Sequence, residues 1–241
     1  MRVIAAALLL LLLGATPATA APAPIGGGSV LFTASFRCTT AFAAKRDTTG
    51  FLIAGPRCAT TGTQMFSGAN VPVGPVISTP AGGGATVVQL TNTAAWTLVP
   101  WIVLGTTQHM IRGATETPVG GTVCLLDRSA GRRCGVITAK NQTVTFPEGT
   151  ITGLTRTNIC MQPGTAVAFV SGDQAQGIPL GGSTCTTGGV SYFLPIRPIL
   201  SAYGLTLFTE HNSKVRPTSV DNTSHLGEAP PVGLLRIVLA N

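Results

Sequence analysis

The chain has 241 residues, with 15 Lys and Arg against 8 Asp and Glu, and a formal net charge of +7. Only 10% of it is charged and 44% is hydrophobic, the opposite of the high charge and low hydrophobicity that keep a chain disordered. Its 35 Thr, 30 Gly and 17 Pro favour strands and turns over helices.

In chain order, residues 1–20 read as a secretory signal peptide. Arg2 is the positive end, Val3 to Leu13 the apolar core, and Ala18-Thr19-Ala20 the small-residue cleavage site. That core is too short to span a bilayer, and no later stretch is apolar enough to do so, so no membrane span is expected. A series of short strand-like runs follows: Val30 to Phe36, Gly50 to Ile53, Thr86 to Leu90, Thr97 to Leu104, Thr122 to Leu126, Gly135 to Thr138, Gln142 to Phe146, Ile151 to Arg156, Ala166 to Ser171 and Ser191 to Leu194. Gly, Pro, Asn or Asp separates most of them, as turns require. Many short strands at this spacing predict a sandwich or barrel. One short helix is expected, Ile199 to Leu205. Residues 208–241 are polar at first and apolar at the end, from Val232 to Asn241. They read as a tail whose last part packs back onto its own domain.

Cys38, Cys58, Cys124, Cys134, Cys160 and Cys185 all lie beyond the signal peptide. An even number in a secreted chain implies disulfides, and six cysteines allow 15 pairings between which spacing does not choose. There is no C-x-x-C and no His/Cys cluster with zinc spacing, so neither metal nor cofactor is expected. The basic residues are scattered and not interleaved with aromatics, so the positive charge reads as solubility and no nucleic-acid partner is expected.

The segment PVGGTVCLLDRSAGRRCGVITAKNQTVTFPEGTITGLTRTNICMQPG, residues 118–164, carries C-x9-C-G, then A-x-N-x-T-V-x-F, then G-L-x-R-T-N-x-C-x-x-P-G. GGSTCTTGGVSYFLPIRPILSAYGL, residues 181–205, follows. Upstream stand Ile25-Gly26-Gly27-Gly28 and Phe51-Leu52-Ile53-Ala54-Gly55. Over residues 25–207 the chain resembles secreted bacterial serine proteases of the streptogrisin and α-lytic type, within the chymotrypsin-like superfamily. The resemblance implies an all-β fold of two six-stranded antiparallel barrels with a cleft between them and a short C-terminal helix. The first barrel is expected at about 25–107 and the second at about 108–207, within a domain spanning 21–207. It also implies three disulfides, Cys38–Cys58, Cys124–Cys134 and Cys160–Cys185. Members usually carry a long pro-region, for which the leader, running almost directly into Ile25, is expected to leave no room.

Serine proteolysis needs a hydroxyl, a His that takes its proton and an Asp that orients the His. The family carries its His in T-A-G-H-C, where this chain reads Ala54-Gly55-Pro56-Arg57-Cys58. Pro has no ionisable group, and Arg stays protonated at neutral pH. The family Asp falls on Gly84, or on Ala85 if the register slips by one. The family nucleophile, in P-G-D-S-G-G-P, falls on Ala166 within Pro163-Gly164-Thr165-Ala166-Val167-Ala168. Thr165 replaces an Asp that in the family organises the oxyanion loop through a buried ion pair. Gly164, Thr165 and Ala166 retain a remnant of that loop. Leu180-Gly181-Gly182 marks the substrate-binding strand, with Leu180 in place of a Ser.

These substitutions predict a secreted, catalytically inactive protease homologue that acts as a binding or regulatory module. Its expected partner is an extended peptide or an extracellular protein, and it is expected to be a monomer. Two alternatives stand beside it. One is an active secreted serine endopeptidase with a relocated nucleophile near His109, the sole His of the matched region. The other is a structural, envelope-associated protein. Ser171-Gly172-Asp173 resembles a scrambled nucleophile motif but reads as a turn.

Overall fold

The computed structural model describes residues 20–56, 58–78, 84–147, 149–162, 164–186 and 188–213. The expected signal peptide, apart from Ala20, and residues 214–241 lie outside the described residues.

Two rings of strands make up the fold. The first contains β2 (Val30–Phe32), β3 (Arg37–Arg46), β4 (Thr49–Ala54), β5 (Gln64–Ser67), β6 (Val71–Ser78) and β7 (Thr86–Leu90). They run in the order β3-β2-β5-β6-β7-β4, and β4 pairs back onto β3 to close the ring. The second is a closed barrel of β10 (Thr122–Asp127), β11 (Gly131–Phe146), β12 (Gly149–Thr157), β15 (Ser191–Pro195), β14 (Gln174–Gly182) and β13 (Ala166–Ser171), in that order. Against β3 and β4 of the first ring packs a small sheet of β1 (Ala23–Gly27), β8 (Trp96–Leu104) and β9 (Thr107–Met110), in which β1 and β8 are parallel. β9 runs across the division expected at 107/108. The fold is the expected all-β one, with one short helix, α1 (Ile196–Ala202), and the three disulfides Cys38–Cys58, Cys124–Cys134 and Cys160–Cys185.

Several strands read as unbroken apolar runs because both of their faces are buried. On β10, Val123 and Leu125 point into the second barrel, while Cys124 and Leu126 point into a core shared by both rings. On β4, Leu52 and Ala54 fill the first ring, while Phe51 and Ile53 join the shared core. Alternation of side-chain direction along a strand thus serves two apolar destinations instead of core and water. The shared core draws Phe42, Ile102, Val167 and Ile178 together and fixes one ring against the other.

The glycine run at residues 26–28 has a packing cause. A Cβ on Gly27 would lie 2.5 Å from the Ala41 carbonyl oxygen, and one on Gly28 only 2.1 Å from that of Val103. Gly28 also has φ +81°, open to glycine at no steric cost. The chain is therefore threaded between β3 and β8 where no side chain fits.

Some elements depart from the sequence reading. The run expected from Val30 to Phe36 stops at Phe32; Thr33 to Phe36 form a turn held by Thr33 Oγ1, which accepts from the Ser35 and Phe36 amides. Strands β3, β5, β6 and β14 were not anticipated, and the two runs at 135–138 and 142–146 are parts of one strand, β11. The helix starts three residues early, since Pro198 sits in the first turn, where its missing N–H costs nothing. Gly204, with φ +58°, follows the helix as a residue suited to ending it. Residues 208–213, expected as the start of a tail, are folded. The Phe208 amide donates to the Ala43 carbonyl (2.9 Å) and the Glu210 amide to that of Ile111 (3.0 Å). β16 (Thr206–Leu207) adds to β3 just before them.

Candidate functional site

A cavity of about 420 Å³ lies between the rings. On one side, the first ring supplies Phe36 from the β2–β3 turn, Arg37 at the start of β3, the Cys38–Cys58 bridge, and Gly55 and Pro56 after β4. On the other, Gly164, Ala166 and Val167 enter at the start of β13, and Ile178, Pro179 and Leu180 come from β14. Arg128, from the β10–β11 turn, completes the rim.

The structure thus brings together Pro56, Gly164, Ala166 and Leu180, which come from distant parts of the sequence. Arg57 lies outside the described residues. Gly84 is half-buried just ahead of β7 and is not among the cavity's lining residues; its neighbour Ala85 is buried in the shared core. Among the described lining residues there is no Ser, His, Asp or Glu. His109 sits on β9 opposite Ile102 and outside the lining. Burial, and behind it the charge of Arg132, hold its imidazole below the ordinary value. Ser171, Gly172 and Asp173 form the end of β13 and the turn into β14. Among the described residues, no group of three or more His, Cys, Asp and Glu is placed to hold a metal ion, and no helix is long and apolar enough to cross a membrane.

Beneath the loop at 164–166 lies a feature the sequence reading missed. Asp127, the last residue of β10, is wholly buried. Its Oδ1 accepts from the Ser129 amide (2.9 Å), the Ser129 hydroxyl (2.8 Å) and the Ala130 amide (3.0 Å). Its Oδ2 accepts from Thr165 Oγ1 (3.0 Å) and Arg133 Nη2 (3.2 Å). Burial works against ionisation, but the donors from Ser129, Ala130 and Thr165 outweigh it and hold the carboxyl below its ordinary value. Arg133 Nη1 also lies 2.7 Å from Cys185 Sγ. The carboxylate that braces the loop at 164–166 therefore comes from β10, and Thr165 supplies a neutral donor to it. A signal existed in Asp127-Arg128-Ser129-Ala130, since an Asp that bonds backbone amides two and three residues on is a turn signature.

The groove residues follow from β14. Its register against β15 shifts between Pro179 and Gly181, so Leu180 has no partner and projects at the cavity, while Gly181 pairs with Tyr192 and Gly182 with Ser191. On its other side, β13 pairs with β14 only from Gln174 to Gly177. Phe146, at the tip of the β11–β12 hairpin, flanks this edge: a Cβ on Gly181 would lie 2.9 Å from its ring.

No protein-family model matches the chain. Streptogrisin-C of Streptomyces griseus is 39% identical over 188 residues, covering 76% of this chain and 41% of the relative. Streptogrisin-A of the same organism is 28% identical over 186 residues, covering 76% and 61%. The chain spans about half the length of these curated relatives. Among solved structures, the α-lytic protease homolog N4 is 39% identical, with a TM-score of 0.67, covering 76% of this chain and 98% of that one. The Nocardiopsis protease is 34% identical with a TM-score of 0.67, covering 78% of this chain and 100% of its own. Thermobifida fusca protease A is 32% identical with a TM-score of 0.66 over the same shares. Agreement in sequence and in fold over the full length of these solved chains places the chain in the streptogrisin and α-lytic family of chymotrypsin-fold serine proteases.

Proposed function

We propose that this family member is a secreted, catalytically inactive homologue that uses its inter-ring cleft to bind an extended peptide. One observation carries the reading. The cavity where Pro56 and Ala166 meet is lined, among the described residues, by no hydroxyl nucleophile of Ser type, no imidazole and no carboxylate. Proton transfer to a general base is what makes a serine hydroxyl attack, and neither a Ser nor a His stands among the described residues that line this cleft. The three disulfides fit an oxidising, extracellular compartment. The free side of β14 beyond Gly177, ending in Leu180-Gly181-Gly182, offers backbone groups to an added strand.

The test is labelling of the oxidised full chain with a fluorophosphonate probe, read by intact mass, beside an active streptogrisin-type enzyme. No adduct is expected. A stoichiometric adduct would overturn the reading, and peptide mapping would name the nucleophile.

A further inference from the structure

We infer that the cleft selects a peptide bearing a carboxylate, which it holds between Arg37 and Arg128; the inference rests on the peptide-binding reading above.

Arg37 follows the β2–β3 turn and Arg128 the end of β10, so the two cations reach the same cavity from different rings. Among the described residues, no carboxylate lies within ion-pair distance of either, whereas Arg112 has two, and Arg133 and Lys140 have one each. Arg128 is held in place by the Gly28 carbonyl, to which its Nη2 donates. That bond ties the guanidinium to the glycine run and keeps it from swinging into solvent. Burial, and behind it the charge of Arg37, push the Arg128 guanidinium below its ordinary value. Two like charges held at one cavity repel, and an anion between them relieves that repulsion. The guanidinium fork matches a carboxylate in two parallel hydrogen bonds.

The rest of the rim fits a peptide rather than a free small anion. Phe36, beside Arg37, is 59% exposed and one of three large hydrophobics left exposed among the described residues. The Thr33 turn fixes it at the cavity mouth. Val167, Ile178 and Leu180 line the opposite wall. A groove whose lining combines Phe36, Val167, Ile178 and Leu180 with two cations suits an extended peptide that carries apolar side chains and one carboxylate. That carboxylate is an Asp or Glu side chain or the peptide's own C-terminus.

The test uses the oxidised full chain and octapeptide pools carrying a neutral fluorophore, read by anisotropy at low and high salt. The pools share mixed Leu, Val, Ala and Thr positions. One has a central Glu and an amidated C-terminus, one a central Gln and an amidated C-terminus, one a central Gln and a free C-terminus, and one a central Lys and an amidated C-terminus. A carboxylate pool is expected to bind about ten-fold tighter than the Gln amide pool, the scale of a charge-assisted hydrogen bond, with the advantage shrinking at high salt. Whichever carboxylate pool binds tighter identifies the source. Arg37→Gln, at an exposed site, is expected to erase the advantage, and Arg37→Glu to transfer it to the Lys pool.

Equal binding of all pools, unchanged in Arg37→Gln, overturns the carboxylate inference and leaves the peptide reading standing. Binding of none overturns both. A carboxylate advantage that survives Gly181→Val, which crowds the β14 edge, supports the arginine pair and counts against strand addition along Leu180-Gly181-Gly182.

Discussion

Among the described residues, Asp127 is the only buried charged residue, and it illustrates how one position can carry a loop. Removing a partner from a buried ion pair leaves uncompensated charge and costs about 3 kcal/mol or more. Asp127→Ala is therefore expected to lower stability by about 3 kcal/mol in denaturant melts, since Arg133, Thr165 and the Ser129 amide all lose their acceptor. The pH dependence has a definite sign. The folded carboxyl lies below its ordinary value, so its contribution is present above the ordinary Asp range, about 3.9, and is lost as pH falls through it. His109 acts in the same direction at higher pH. Its folded value is depressed, so the unfolded chain takes up the proton first and stability declines as pH drops through the ordinary His range, about 6.5. Stability measured against pH is expected to fall in two stages, and the lower one to shrink in Asp127→Asn, leaving the share of Asp173, whose carboxyl the Gln174 amide and Arg112 also hold below its ordinary value. At the cleft, Ala166→Ser is expected to remain unlabelled by the fluorophosphonate probe. Among the described residues that line the cleft, no His, Asp or Glu stands to take the proton of a hydroxyl placed at residue 166.

At the scale of the element, β13 shows what a strand buried on both faces does. Phe169 points into the second barrel, wholly buried and stacked on Phe193 at 4.7 Å between ring centroids, while Val167, Ala168 and Val170 join the shared core. The same strand opens with Ala166 at the cleft. Phe169→Ala is expected to cost roughly 3–5 kcal/mol and to loosen the cleft wall with it. Val103→Ala, on the exposed face of β8, is expected to stay within about 0.5 kcal/mol. Chemical denaturation of both variants checks the contrast. β14 matters for the opposite reason. Its register shift leaves Leu180 without a β15 partner, while Phe193 and Phe146 pack over Gly177 and Gly181 where a side chain would otherwise stand.

Over the whole molecule, one shared core holds the two rings together, and the three bridges staple segments within each ring, Cys38–Cys58 in the first and Cys124–Cys134 and Cys160–Cys185 in the second. The disulfides close loops of 20, 10 and 25 residues in sequence separation, each contributing about 3 kcal/mol in the chain-entropy model. Reduction is expected to lower Tm by roughly 10 °C or more, given a few degrees per kcal/mol for a domain of this size. The folded end gives a second check. A chain ending at Leu207 is expected to melt several degrees below one ending at Ser213, because only the longer chain keeps the Phe208–Ala43 and Glu210–Ile111 backbone bonds. Equal melting temperatures would mean that residues 208–213 add nothing to the fold.

The sequence by itself determined the family and the all-β class, because both follow from which residues stand in which motif order, whereas the expectation that Pro56, Gly84 and Ala166 stand at triad positions rests on the resemblance alone. It also supplied six cysteines, but their pairing came through the family resemblance and not from spacing. Strands such as β6, with Pro72, Gly74 and Pro75, and β14, with Gly177 and Pro179, escaped notice. Their local preference is against a strand, and pairing with neighbours distant in sequence overrides it. β3 escaped because its run of alanines carries little strand preference of its own. Only the tertiary structure decided that Asp127 braces Thr165, that Arg37 and Arg128 meet across one cavity, and that Gly84 stays out of it. Such contacts depend on how two rings close and dock on their shared core, and no local spacing records which far segments that closure brings face to face.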